Sequence, residues 1–294
     1  MVVTCKMRGA GLRGECNSLM MGIRGERMSQ NQNVRQILGV KFYIGDLSEI
    51  IERISQGGLL VVPSAPALKD IDRNLAYREA LIDCDVAITD SSFMVLLWNL
   101  LERDSIPRLS GLRYLKGLLQ RPDVRAPGNT LWVMAGAASS QKNLEWLQSQ
   151  GIEVPPDYVH EAPVYGEPIE DTILVERLTR LRPRHVVITI GGGTQERLGF
   201  YLKHHLDFLP AIHCIGAAIA FLSGDQVKIT DWADRLYLGW LFRCVSAPRR
   251  YAPRYLSALR LAPLLWRYRS RLPPKHDVPE ERPRSLRELD DSSR

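Results

Sequence analysis

The sequence has no long apolar run. None of its stretches approaches the roughly 18 consecutive apolar residues that a membrane-spanning helix needs. Cysteine is sparse and odd in number, and Cys5, Cys16, Cys84, Cys214 and Cys244 are scattered without paired metal-ligand spacing. That pattern excludes a disulfide framework and reads as free thiols in a reducing compartment. The histidines are equally unproductive. His204-His205 reads as a solvated helix face, and no histidine is spaced against cysteines or acids as a ligand set would be. Two phosphate-binding signatures are also missing: there is no G-x-G-x-x-G with a following acid and no G-x-x-x-x-G-K-[ST]. Acid is absent from one whole stretch, Arg235 to Arg271.

That stretch carries nine arginines, with Trp240, Trp266, Tyr251, Tyr255 and several leucines among them. Such a segment suits an anionic partner: a membrane surface, a phosphate group or a nucleic acid. No DNA- or RNA-binding motif accompanies it, so no nucleic-acid partner is expected. Elsewhere the composition is that of an ordinary globular protein, 45% hydrophobic and 24% charged with a net charge of +6. The 294 residues have room for one large core or two small ones.

Residues 1–38 read as a disordered leader, or as an upstream start with Met28 the true beginning, and a cytoplasmic protein is expected. From Gly39 strand and helix signals alternate. Strands are predicted at Val40–Ile44, Leu59–Val62, Val86–Thr89, Leu131–Met134, Tyr158–His160, His185–Ile190 and Ile212–Ile215. Helices fall between them, the first capped by Asp46 with Glu49 as its capping-box partner. This alternation predicts an α/β fold, a Rossmann-like, mostly parallel sheet flanked by helices over residues 39–224. After Gly224 it stops. Residues 225–272 read as a basic helical appendage and 273–294 as a disordered tail.

Ligands of an open parallel sheet bind beyond the carboxyl ends of its strands. Four loops meet that condition: Pro63-Ser64-Ala65-Pro66, Asp90-Ser91-Ser92, Gly191-Gly192-Gly193-Thr194-Gln195-Glu196, and Gly216-Ala217-Ala218. The triple glycine admits close backbone approach, and a helix starting at Thr194 would aim N–H groups at a phosphate. The plainer alternative is a tight turn that binds nothing. Asp90 suits a general base drawing a proton from a hydroxyl, or else it caps the next helix. Asp83-Cys84-Asp85 has the spacing of a metal-binding D-x-D, but it lies before a strand, on the wrong edge of the sheet, and reads as surface.

Taken in order, these motifs resemble those of the WecB/TagA/CpsF glycosyltransferases (glycosyltransferase family 26). Ile190–Glu196 is similar to the family loop lG-x-P-K-Q-E, and Ile215–Gly224 to vGGsFDflaG. Trp232 with Leu238-Gly239-Trp240-Leu241-Phe242-Arg243 resembles W…gLEWLyR, and Pro248-Arg249-Arg250 with Arg254-Tyr255 resembles ePrR…rRY. Upstream, Ala80–Asp90 is similar to Al..ADlvlpDG and Arg108–Gly111 to RvsG. The resemblance covers roughly Gly39 to Leu264.

It implies an inverting, metal-independent transferase with no cofactor. Such an enzyme moves a sugar, a hexose or N-acetylhexosamine, from a nucleotide donor, UDP-linked in this reading. The acceptor is a polyprenyl-diphosphate-linked sugar of cell-envelope or exopolysaccharide synthesis. The implied location is the inner face of the cytoplasmic membrane, and family members self-associate. The resemblance places Asp90 as base with Arg108 beside it. Ser64, Ser91, Gly191, Gly192, Gly193, Gln195 and Glu196 then fall at the donor, and Arg249, Arg250 and Arg254 at the diphosphate or membrane. Several positions depart from the family pattern. Pro63-Ser64-Ala65 stands for Thr-x-Asn and Ser91 for the glycine after the catalytic Asp. Lys228-Ile229-Thr230 stands for RAP, while Arg113 and Ala220 replace acids and Gly239 replaces a glutamate. The alternative is an inactive nucleotide-sugar or lipid-diphosphate binding protein of the same fold.

Overall fold

The computed structural model describes residues 33–225 and 244–276, Arg250 by its backbone only. The motifs around Trp232 and Leu238–Arg243, the departures at Gly239 and Lys228–Thr230, and most of the expected leader and tail lie outside the described residues.

Eight strands form one sheet: β1 Val34–Ile37, β2 Val40–Tyr43, β3 Gly58–Val61, β4 Val86–Ile88, β5 Thr130–Met134, β6 Val159–Glu161, β7 His185–Ile188 and β8 Ala211–Cys214. Their order is β1-β2-β4-β3-β8-β7-β5-β6. Only β1 and β2 pair antiparallel, so the fold is α/β and Rossmann-like, as the alternation predicts. β3, β5, β7 and β8 are buried along their whole length, because helices cover both faces.

The pleat sorts successive residues to opposite sides. Leu59, Val61, Val186 and Ile188 pack with Tyr77, Trp98, Leu174, Leu198 and Leu202 on one face. Leu60, Trp132 and Val187 pack with Ile50, Ile54, Tyr114, Leu115 and Leu147 on the other. Helix starts are fixed by side-chain caps: Asn74 accepts from Tyr77 N, Ser91 from Met94 N, Ser110 from Arg113 N and Asp171 from Leu174 N. The capping box expected at Asp46 is not made. Asp46 gives no cap bond, and Glu49 instead accepts from Tyr43 Oη at 2.7 Å.

Two boundaries read from the sequence need correction. Folded chain begins ahead of Gly39, since β1, which falls inside the expected leader, pairs with β2 in a hairpin. Within the basic appendage read after Gly224, residues 244–276 pack on the sheet domain. Helix Leu261–Tyr268 places Leu261 and Leu265 in the core beneath helix Ser92–Glu102. Backbone bonds then clasp the β1–β2 turn: Leu38 N donates to Arg269 O (2.8 Å) and Gly39 N to Ser270 O (3.0 Å). A Cβ at Gly39 would come within 2.6 Å of Leu272, so only glycine fits. Past residue 272 the chain still packs, with Arg78 Nη1 donating to Pro273 O and His276 N to Asp72 O.

One polar chain crosses the interior. Tyr114 Oη meets His213 Nδ1 at 2.8 Å, and His213 Nε2 meets His185 Nδ1 at 3.2 Å. His185 Nε2 lies 3.5 Å from Asp123. Among the described residues no helix is long and apolar enough to cross a membrane.

Candidate active site

Beyond the carboxyl ends of the strands, the sheet order sets the loops side by side: that of β4 with Asp90, of β3 with Ser64, of β8 with Gly216 and of β7 with Gly191–Gly193. Asp90 follows β4 directly. Thr89 Oγ1 donates to Pro107 O (2.7 Å) and accepts from Leu109 N (3.2 Å), which draws the 107–109 segment alongside. Arg108 Nε then donates to Asp90 O at 2.8 Å, and its Nη2 stands 3.7 Å from Asp90 Oδ1. Gly111 N donates to the same Oδ1 at 3.0 Å. A Cβ on Gly111 would press to 3.3 Å against both Ile215 O and Val62, so glycine lets that N–H reach the carboxylate.

Asp90 is not the helix cap. Ser91 Oγ takes that task, accepting from Met94 N at 3.2 Å, and Ser91 is buried. Ser91 Oγ thus has a structural task, and the Asp90 carboxylate is held by Gly111 N and Arg108 instead.

The first and third loops converge. A Cβ on Gly192 would lie 3.3 Å from Ser64 Oγ and 4.0 Å from Arg254 Nη2. Ser64 Oγ is buried and has no hydrogen-bond partner among the described residues. Arg254 arrives on helix Pro248–Ala258, which packs on the short helix Ala65–Leu68. A hydroxyl, a guanidinium and a bare backbone thus surround one point, an arrangement suited to phosphate oxygens. Arg249 is exposed, and the side chain of Arg250 is not among those described.

Gln195 and Glu196 depart from expectation, because both face inward. Gln195 Nε2 donates to Glu196 Oε1 (3.0 Å), and its Oε1 accepts from Gly216 N, joining the β7 and β8 loops. Glu196 Oε2 accepts from Gly193 N (2.6 Å), which holds Gly193 at φ +93°. Burial pushes the Glu196 carboxyl up to about 7, against the lowering effect of those bonds. With their polar ends bonded inside the protein, these two side chains shape the β7 loop from within.

The D-x-D carboxylates sit at the opposite edge, as read. Lys203 Nζ lies 3.1 Å from Asp83 and 3.0 Å from Asp85, and Asp85 also accepts from Leu59 N. Among the described residues no group of three His, Cys, Asp or Glu gathers as a metal site would require. Sequence reasoning gave Gly111 no role, although the RvsG match includes it; that the glycine donates to Asp90 is visible only in space.

A Rossmann-like crevice with Asp90 and Arg108 at one strand end and Ser64 and Arg254 near the next suits a class of transferases acting on phosphorylated donors. The comparison with known families is narrower. The sequence profile described as the Glycosyl transferase WecG/TagA/CpsF family matches residues 35–275. The chain belongs to that family of glycosyltransferases. No curated protein matches it.

Proposed function

We propose that the chain is an inverting transferase that moves a sugar from a nucleotide-sugar donor, UDP-linked, onto a polyprenyl-diphosphate-linked sugar. The observation that carries this is Asp90: released from capping by Ser91, braced by Gly111 N and Arg108, and one strand from the Ser64–Gly192–Arg254 cradle. Neighbouring strands are about 4.8 Å apart, so a donor lying from the β7 loop to the β3 loop would bring its sugar to Asp90. Asp90 then takes the proton of an acceptor hydroxyl. That oxygen bonds to the anomeric carbon as the diphosphate leaves with its electron pair, and one displacement inverts the centre. Arg254 and Ser64 Oγ stabilise the charge growing on the diphosphate.

Membrane attachment belongs to the same proposal. Val245, Leu256, Leu259 and Trp266 are exposed on the segment that carries Arg249, Arg254, Arg260 and Arg267, a combination suited to an anionic lipid surface.

The test is transfer from a panel of UDP- and GDP-sugars to a prenyl-diphosphate sugar with EDTA present. Asp90→Asn is expected to lower kcat by about 10²- to 10⁴-fold with little change in donor affinity. Turnover that needs an added metal, or survives in the variant, contradicts the mechanism. Donor binding without turnover in the unaltered protein supports the inactive binding protein instead.

A further inference from the structure

A cleft of about 360 Å³ opens at the carboxyl end of β2, lined by Asp46, Glu49, Arg108 and Arg113 over Leu47 and Leu109. Its volume falls within the range of about 300–1,000 Å³ for small-molecule sites. The sheet order gives it meaning. The β2 loop lies on one side of β4 and the β3, β8 and β7 loops on the other, so Asp90 stands between this cleft and the phosphate cradle. Two lining residues also belong to the framework around Asp90: Arg108 donates to its carbonyl, and Leu109 N is bonded to Thr89.

The lining was not built to cap a helix. Asp46 and Glu49 have capping-box spacing, yet Asp46 makes no cap bond, and Tyr43 Oη holds Glu49 Oε2 at 2.7 Å. Asp46, left without the cap bond its position offers, is the kind of local departure found at functional or strained sites. A Cβ on Gly45 would come within 2.9 Å of Glu49 and 2.5 Å of the Tyr43 ring, so glycine there keeps both in place. Arg113 adds a guanidinium where the resemblance predicts an acid. The rim therefore carries two carboxylates and two guanidiniums, which balance formally. A balanced set of hydrogen-bond acceptors and donors, with Leu47 and Leu109 beside them, suits a neutral polyhydroxylated ring, whereas an anion would meet two carboxylates.

We infer that this cleft is the acceptor subsite, receiving the uncharged terminal sugar of the acceptor and presenting one of its hydroxyls to Asp90. The inference rests on the reading of Asp90 as base.

The test uses farnesyl-diphosphate-linked glucose and N-acetylglucosamine, with farnesyl diphosphate alone as control, against the full chain and its Asp46→Ala and Arg113→Ala variants. Both side chains are exposed, so their removal leaves the core intact. The expected result is at least a tenfold rise in acceptor KM in each variant, with donor KM and kcat nearly unchanged. Saturation-transfer NMR should show magnetisation passing from the unaltered protein to the sugar-ring protons, and no such transfer in either variant. An unchanged acceptor KM, or a rise in donor KM instead, overturns the inference while leaving the transferase standing. If the unaltered protein turns over no donor, the transferase reading fails and the NMR alone decides. A ring-proton signal that is present with the unaltered protein and disappears in both variants sustains the subsite. No signal at all, or one of equal strength in the variants, overturns it.

Discussion

Glu196 shows how one buried side chain links the β7 loop to pH. Its carboxyl is raised to about 7, so the folded protein holds that proton more tightly than the unfolded chain, whose carboxyl titrates near its ordinary 4.5. Stability from this group is fully present below the unfolded value and is lost as pH rises through about 7, an effect on the order of 3 kcal/mol. Glu196→Gln removes the titration. Its melting temperature relative to the unaltered protein is expected to climb from pH 5 to pH 8; a difference that stays flat rules the titration out. Residues at this scale were unevenly legible in the sequence. Asp90 and Ser64 stand beyond strand ends, where chain order alone points to them, and Arg108 is reached by its motif. The inward turn of Gln195 and the capping by Ser91 depend on partners 21 and 3 residues away along the chain. Spacing alone leaves such roles open.

Among elements, helix Gly111–Leu118 joins the site to the interior. Its first N–H holds Asp90, and Tyr114 one turn on is tied to His213 and through it to His185. Burial holds both imidazoles below their ordinary value. The unfolded chain therefore binds protons first, and stability from keeping them neutral is present above pH 6.5 and lost as pH falls below it. Tyr114→Phe strips His213 Nδ1 of its partner and is expected to cost about 1–3 kcal/mol in urea unfolding. A change under about 0.5 kcal/mol would remove the chain as a structural element. Strands β3, β5, β7 and β8 were legible because burial on both faces demands unbroken apolar runs. β1 was not: Val34-Arg35-Gln36-Ile37 is an edge strand with two polar residues, beside a segment whose composition suggests a leader. The short helices Ala65–Leu68 and Ala218–Ser223 hold too few residues to show a period.

For the whole molecule, the basic C-terminal segment has two faces. Ala258, Leu261 and Leu265 are buried in the core, while Leu256, Leu259 and Trp266 remain exposed. The charge and aromatic content of this segment were plain in the sequence, but which leucines turn inward is fixed by the helices they meet. Its proposed membrane attachment predicts co-sedimentation with phosphatidylglycerol vesicles, weakened several-fold between about 0.05 M and 0.5 M salt as charges are screened. Leu256→Ser with Trp266→Ser is expected to reduce it further without unfolding the protein, since both side chains lie on the surface. Equal sedimentation with neutral lipid, or none with either, would set the proposal aside.

The clasp between Leu38–Gly39 and Arg269–Ser270 has a consequence in the timing of synthesis. The first hairpin leaves the ribosome about 230 residues before the backbone that holds it, which at about 5–20 residues per second is a wait of roughly ten to fifty seconds. Arg254 emerges in the same late interval as Leu261 and Leu265. The nascent chain thus acquires Leu261 and Leu265 of its core and the arginine proposed to meet phosphate together, and a product cut short before them would lack both at once.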